Sequence, residues 1–114
     1  MKAAVLHGVE DIRYEESETP KAGKGEVLIH VKATGICGSD IPRVNSTAAH
    51  YYPIILGHEF SGIVTEIGEN VTNVKVGDRV TAAPLIPCME CDDCQKGNFS
   101  LCKHYKFIGS SLNR

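Results

Sequence analysis

The stretch EVLIHVKATGICGSD, residues 26–40, decides how the rest of the chain is read. Val27, Ile29, Val31 and Ala33 alternate with Leu28, His30, Lys32 and Thr34, the two-residue period of a strand. Gly35 ends that strand and delivers Cys37 to its terminus. Upstream, KAAVLHG (2–8) and DIRYEE (11–16) read as short strands joined through Val9-Glu10, and SETPKAGKGE (17–26) as a polar turn region. Downstream, SDIPRV (39–44) is expected to open a short helical turn, capped by Ser39 or Asp40 and with Pro42 in its first turn. GHEFSGIVTEIG (57–68) reads as a glycine-broken strand. VTNVKVGDRVTAAP (71–84) gives a turn at Gly77-Asp78 and a strand through Val80 and Ala82. Short strands at this spacing, with no long helical period, predict a mainly β fold of the small barrel or sandwich kind.

The 114 residues suffice for one core and are too few for two comfortable domains. An apolar content of 42% and a charged content of 23% are those of an ordinary soluble domain. A net charge of −2 and scattered lysines give no basic stripe, so no nucleic-acid partner is expected. No apolar run approaches the roughly 20 residues of a bilayer span, so no membrane partner is expected. Met1-Lys2 leads into AAVLHG, which meets acidic residues before a signal-peptide core can form, and the expected setting is cytoplasmic and reducing.

That setting bears on PLIPCMECDDCQKGNFSLCKHY (84–105), which holds four of the five cysteines with the spacing C-x2-C-x2-C-x7-C. In a reducing compartment such clusters are metal ligands or redox groups more often than disulfides. A C-x2-C step lets two thiolates converge on one ion, and four thiolates complete a closed tetrahedral shell suited to zinc. Cys88, Cys91, Cys94 and Cys102 are therefore expected to form a structural zinc lobe in a loop-like segment, with a redox dithiol or stapled loop as the alternative.

A second cluster has the chemistry of an open site. Cys37 in TGICGSD and His58-Glu59 in LGHEFSGIV supply thiolate, imidazole and carboxylate, the ligand types of a zinc ion that keeps one position free. Neighbouring residues on a regular strand point to opposite faces, so His58 and Glu59 reach one ion only if the backbone bends, which Gly57 eases. Otherwise Glu59 serves from behind the ligands or in packing.

Taken together, GHEFSGIV, VKATGICGSD, VGDRV and the four-cysteine lobe resemble the zinc-dependent medium-chain alcohol and polyol dehydrogenases, in one consistent order along the whole chain. AHYYPIILGHEFSG, SDIPR and FIGS point to that family's polyol and polyol-phosphate branch, with threonine dehydrogenase a further relative. The resemblance implies a partial GroES-like (chaperonin-10-like) β-barrel as catalytic domain, with a catalytic and a structural zinc. It implies Cys37 and His58 as catalytic-zinc ligands, Glu59 as ligand or close partner, and Ser39 as the hydroxyl that relays the substrate proton. It further implies NAD as hydride acceptor, a small-molecule polyol or polyol phosphate as substrate, and a homo-oligomer.

No dinucleotide fingerprint is present: the nearest candidate, Gly23-Lys24-Gly25-Glu26-Val27-Leu28, precedes a strand and lacks the third glycine. Residues 1–114 are accordingly expected to be the amino-terminal part of the catalytic domain, with the lobe at 88–102 and the Rossmann cofactor domain absent. FIGSSLNR falls where the family's barrel has strands still to come. Two rivals stand beside this reading. A noncatalytic zinc-stabilised binding module explains the lobe but not TGICGSD and GHEFSG, and a co-chaperonin-like ring subunit explains the strands but not the ligands. His7, His30 and His104 read as surface or edge histidines, Tyr51 and Tyr52 as cleft or packing residues, and Arg43 as a phosphate contact or a surface charge.

Overall fold

In the computed structural model, which describes residues 1–111, the chain forms eight strands, two short helices and one 3-10 turn. Residues 112–114, the end of FIGSSLNR, lie outside the described residues. Strands β1 (Lys2–Gly8) and β2 (Asp11–Glu16) pair antiparallel, joined where Glu10 takes a φ of 58°. Strand β4 (Ile54–Ile55) covers the other edge of β1, setting Leu6 opposite Ile54; both side chains are fully buried. The second sheet has the order β3 (Val27–Thr34), β5 (Phe60–Ile67), β6 (Arg79–Thr81), all antiparallel. A third, two-stranded sheet joins β7 (Leu85–Ile86) to β8 (Lys106–Phe107). Mainly β architecture with a four-cysteine lobe is what the sequence pattern predicts.

Three details depart from the pattern. The alternation in β3 does not carry through to burial: Val31 is 47% exposed and Ala33 is exposed. Irregularities between Leu28 and Ile29 and between Val31 and Ala33 shift the register against β5, and each such shift rotates the faces of the strand. Ser39 occupies the N-cap position of α1 (Asp40–Asn45) but makes no side-chain cap bond, because its hydroxyl is engaged elsewhere. The cysteine segment is not plain loop: it holds α2 (Asp92–Gln95) and a 3-10 turn (Phe99–Leu101).

The buried apolar set is Val5, Leu6, Ile54 and Val64, joined by Cys94 and Cys102 in the lobe. The lobe thus has a small core of its own, built on sulfur. The pairing of β3 with β5 then fixes where the chemistry lies. Thr34 is the last paired residue of β3 and sits opposite Phe60, the first residue of β5. The Gly35 N–H extends the ladder to the Glu59 carbonyl at 2.7 Å. Cys37, just past one strand, and His58, just before the other, therefore arrive at the same end of the sheet.

Candidate metal centres

Two clusters of metal-ligating side chains come together among the described residues, and they are the two that the sequence singles out. In the first, one donor atom each from Cys88, Cys91, Cys94 and Cys102 lies within 4.8 Å of every other. The Cys88 and Cys94 sulfurs are 3.9 Å apart. Two sulfurs on a tetrahedral zinc with bonds of about 2.3 Å stand about 3.8 Å apart, so this spacing is that of a metal shell. All five cysteines are free thiols.

Backbone amides aim at the same sulfurs. The N–H groups of Glu90 and Cys91 donate to Cys88 Sγ at 3.5 and 3.4 Å, and those of Cys88 and His104 donate to Cys102 Sγ at 3.3 and 3.4 Å. Such donors stabilise thiolates. The N–H groups of Cys94 and Lys103, chiefly, lower the Cys91 thiol to about 6, while burial, reinforced by the neighbouring thiols, pushes Cys94 up to about 12. Binding of a cation by these four thiols would release their protons.

The second cluster is Cys37, His58 and Glu59, with donor atoms again all within 4.8 Å of one another. The backbone bend this requires is present. Gly57 has a φ of +116°, a conformation that side-chain-bearing residues rarely adopt, and the regular strand begins only at Phe60. His58 is 7% exposed, and its Nδ1 has no hydrogen-bond partner; Asp40 Oδ1 lies 3.7 Å away. A buried imidazole nitrogen left unsatisfied is costly, so its environment suits a metal that draws the ring into place. A thiolate, an imidazole and a carboxylate complete a donor set that leaves a fourth position open.

Ser39 lies beside this cluster. Its Oγ donates to Cys37 Sγ at 3.4 Å and accepts from Arg43 Nη1 at 2.9 Å. Arg43 is neither a loose surface charge nor turned out toward solvent. Its side chain is 16% exposed, and Nη1 also donates to the Ser39 carbonyl at 3.1 Å and to Asp40 Oδ1 at 3.2 Å. Tyr51 and Tyr52, by contrast, remain partly exposed at 38% and 37%.

Asp40 is the residue that sequence reasoning passed over. It is 6% exposed, and its carboxylate accepts from Arg43 and, through Oδ2, from the Cys37 N–H at 3.3 Å. A carboxylate three residues after the cysteine, next to an arginine three residues further on, was the available signal. It was masked by the equally good capping interpretation. Phe107 and Gly109 were not foreseen either. The Phe107 ring meets the His58 ring edge to face, with centroids 5.1 Å apart and planes at 73°.

Comparison with known proteins agrees with this geometry. Residues 23–112 match the family described as alcohol dehydrogenase GroES-like domain. Galactitol 1-phosphate 5-dehydrogenase from Escherichia coli K12 is 44% identical over 111 residues, covering 96% of this chain and 32% of the relative. The solved structure of galactitol-1-phosphate dehydrogenase from Escherichia coli superimposes with a TM-score of 0.95 at 43% identity, over 99% of this chain and 33% of that one. Sorbitol dehydrogenase from Bacillus subtilis is 40% identical over 114 residues, 96% of this chain and 32% of the relative. The cobalt- and zinc-bound thermostable alcohol dehydrogenase from Pyrobaculum aerophilum gives a TM-score of 0.89 at 36% identity, over 99% of this chain and 36% of that one. The chain thus spans about a third of the length of these relatives. On its sequence match, its partial β-barrel and its paired metal-ligand clusters, it belongs to the alcohol dehydrogenase GroES-like domain family.

Proposed function

We propose that residues 1–114 are the amino-terminal, metal-binding part of the catalytic domain of a cytoplasmic NAD-dependent dehydrogenase. It oxidises a secondary alcohol of a polyol or polyol phosphate to the ketone. Galactitol 1-phosphate is the first candidate substrate, by likeness to the galactitol 1-phosphate and sorbitol dehydrogenases. The observation that carries the reading is the convergence of Cys37, His58 and Glu59 at the end of the β3–β5 ladder, with the Ser39 hydroxyl touching the thiol. A zinc-stabilised binding module needs only the four-cysteine lobe and leaves that second cluster without a purpose.

The chain's own residues divide the work. Cys37, His58 and Glu59 would hold the catalytic zinc, and Cys88, Cys91, Cys94 and Cys102 the structural one. Zinc in the open site would supply Lewis acidity, which lowers the pKa of an alcohol hydroxyl. Ser39 Oγ would act as a relay, receiving the hydroxyl proton as it passes its own hydrogen on toward solvent, and the Arg43 guanidinium fixes the position of that oxygen. Hydride acceptance belongs to the nicotinamide cofactor, bound by a domain outside this chain. Residues 1–114 alone are expected to turn over no substrate.

Elemental analysis of Cys37→Ala provides the test. The unmutated chain should carry about two zinc ions and the variant about one, retained in the lobe. In the enzyme that contains this segment, the same variant should lose turnover. Undiminished zinc content together with undiminished turnover would refute the open-site assignment.

A further inference from the structure

The four-cysteine lobe is the connection between β7 and β8, and β8 ends on the ring that packs against His58. β7 and β8 share only two residue pairs, Leu85 with Phe107 and Ile86 with Lys106. Two-residue strands do not hold each other against the entropy of the loop between them. Closure is completed by the thiols: the Cys88 N–H reaches Cys102 Sγ at 3.3 Å, just inside the ends of the two strands. The ladder then runs on through the Ile108 N–H to the Pro84 carbonyl at 3.0 Å, and the Phe107 N–H is held by Ser111 Oγ at 2.9 Å.

Beyond the ladder, the same segment grips the other side of the bend. Gly109, with a φ of +65°, lies so close to Gly57 that a methyl group on it would collide with the Gly57 carbonyl. Gly57 is the residue whose unusual φ turns His58 toward Cys37. The carboxyl-terminal side of the lobe therefore touches the open cluster at its ring and at its hinge.

We infer that the two metal centres are coupled, with Phe107 as the positioning residue: filling the four-cysteine lobe zips β7 to β8 and holds His58 in its ligating orientation. The inference rests on the open-site reading above. By linkage, a metal that orders the lobe raises the affinity of Cys37, His58 and Glu59 for a second ion, and the effect runs equally in the other direction. A ring is required, because the contact is edge to face against an imidazole and an aliphatic side chain cannot reproduce it.

The test is calorimetric titration of the 114-residue chain with zinc, resolving the first and second equivalents. It is run alongside Phe107→Leu, Phe107→Tyr and the lobe-dead Cys91→Ser/Cys94→Ser chain. The second equivalent is expected to bind about tenfold more weakly to Phe107→Leu, within the usual range of coupling between sites. The first equivalent should be unchanged there, and Phe107→Tyr should restore the second. The lobe-dead chain, checked for retained strand content by circular dichroism, binds no lobe ion, and its single equivalent at Cys37, His58 and Glu59 should be weakened to the same degree. Should that chain fail to fold, Phe107→Leu decides alone. A second equivalent that binds equally well to the unmutated chain and to Phe107→Leu overturns the coupling and leaves the open site standing. If no chain takes a second equivalent, the open-site reading falls and the coupling falls with it.

Discussion

Asp40 carries more of the site than its place in the sequence suggests. Its two carboxylate oxygens accept from Arg43 and from the Cys37 N–H, and one of them faces the unpartnered Nδ1 of His58. Asp40→Ala would leave the Cys37 amide and the Arg43 guanidinium each short of a partner in a nearly closed environment. Hydrogen bonds to a charged group contribute roughly 1.5–3 kcal/mol, so a loss of about 2 kcal/mol is expected, read from the urea midpoint. Weaker metal binding at Cys37 should accompany it. If the variant matches the parent in both, the carboxylate is incidental. The grouping of Cys37, His58 and Glu59 was legible because residue type and a neighbouring glycine state the chemistry locally, whereas Ser39 entered only through the resemblance of its motif to the family. Asp40 and Arg43 were not, since an acidic residue at a helix start reads as a cap. Only the hydrogen bonds that its oxygens accept from the Cys37 N–H and the Arg43 guanidinium reveal the other role.

At the scale of elements, the β3–β5 pair sets the geometry and Gly62 sets its closeness. A Cβ at Gly62 would run into the His30 carbonyl across the ladder and into the Ile29 methyl group. Gly62→Ala should therefore force the strands apart and cost about 1–3 kcal/mol, the usual penalty for overpacking. Chemical denaturation checks this, and a neutral result would mean that the ladder yields more easily than its contacts imply. The lobe makes a different prediction. Removing its metal with a strong chelator should speed amide exchange across residues 85–107 while leaving β1–β2 and β3–β5 protected, because β7 and β8 lack the length to persist alone. Uniform protection before and after chelation would count against a metal-held lobe. β1, β2, β3 and β5 were readable from period and punctuation. β4, β7 and β8 were not, because two residues cannot display a period and such strands exist only by virtue of what they pair with. The same limit hid α2 and the 3-10 turn, which form where thiols must converge, not where helix formers accumulate.

For the whole molecule, charge and surface give separate expectations. Arg13 lowers the pKa of Asp11, Lys2 that of Glu16 and Lys75 that of Asp78, in each case first through a side-chain hydrogen bond. With folded values below the unfolded ones, the unfolded chain binds more protons as the carboxylates titrate. Stability from these pairs is therefore present at neutral pH and lost as pH falls through the folded values, below 3.8 for the aspartates and 4.5 for Glu16. The pairs are exposed, so the effect should be small and should shrink further in high salt, which urea midpoints at neutral and acid pH would show. The surface makes the larger claim. A monomer of 12.4 kDa ordinarily exposes about 6,100 Å², yet this chain exposes 7708 Å². Its radius of gyration is 15.2 Å, against about 13 Å for a compact chain of this length. Large apolar side chains are among the exposed residues: Ile36 is 84% exposed, Leu101 62%, Val76 57% and Ile41 56%. Order and spacing of motifs announced the family, but not which of these loop and helix side chains stay exposed, since coverage depends on packing partners and not on local pattern. Apolar surface of this extent drives association, so the isolated chain should form oligomers that grow with concentration. Sedimentation velocity across a hundredfold range of protein concentration would reveal them as a rising weight-average coefficient. A single species of monomer mass throughout would mean that these side chains are dispersed too thinly to act as one patch, and that a partner surface has to be sought elsewhere on the molecule.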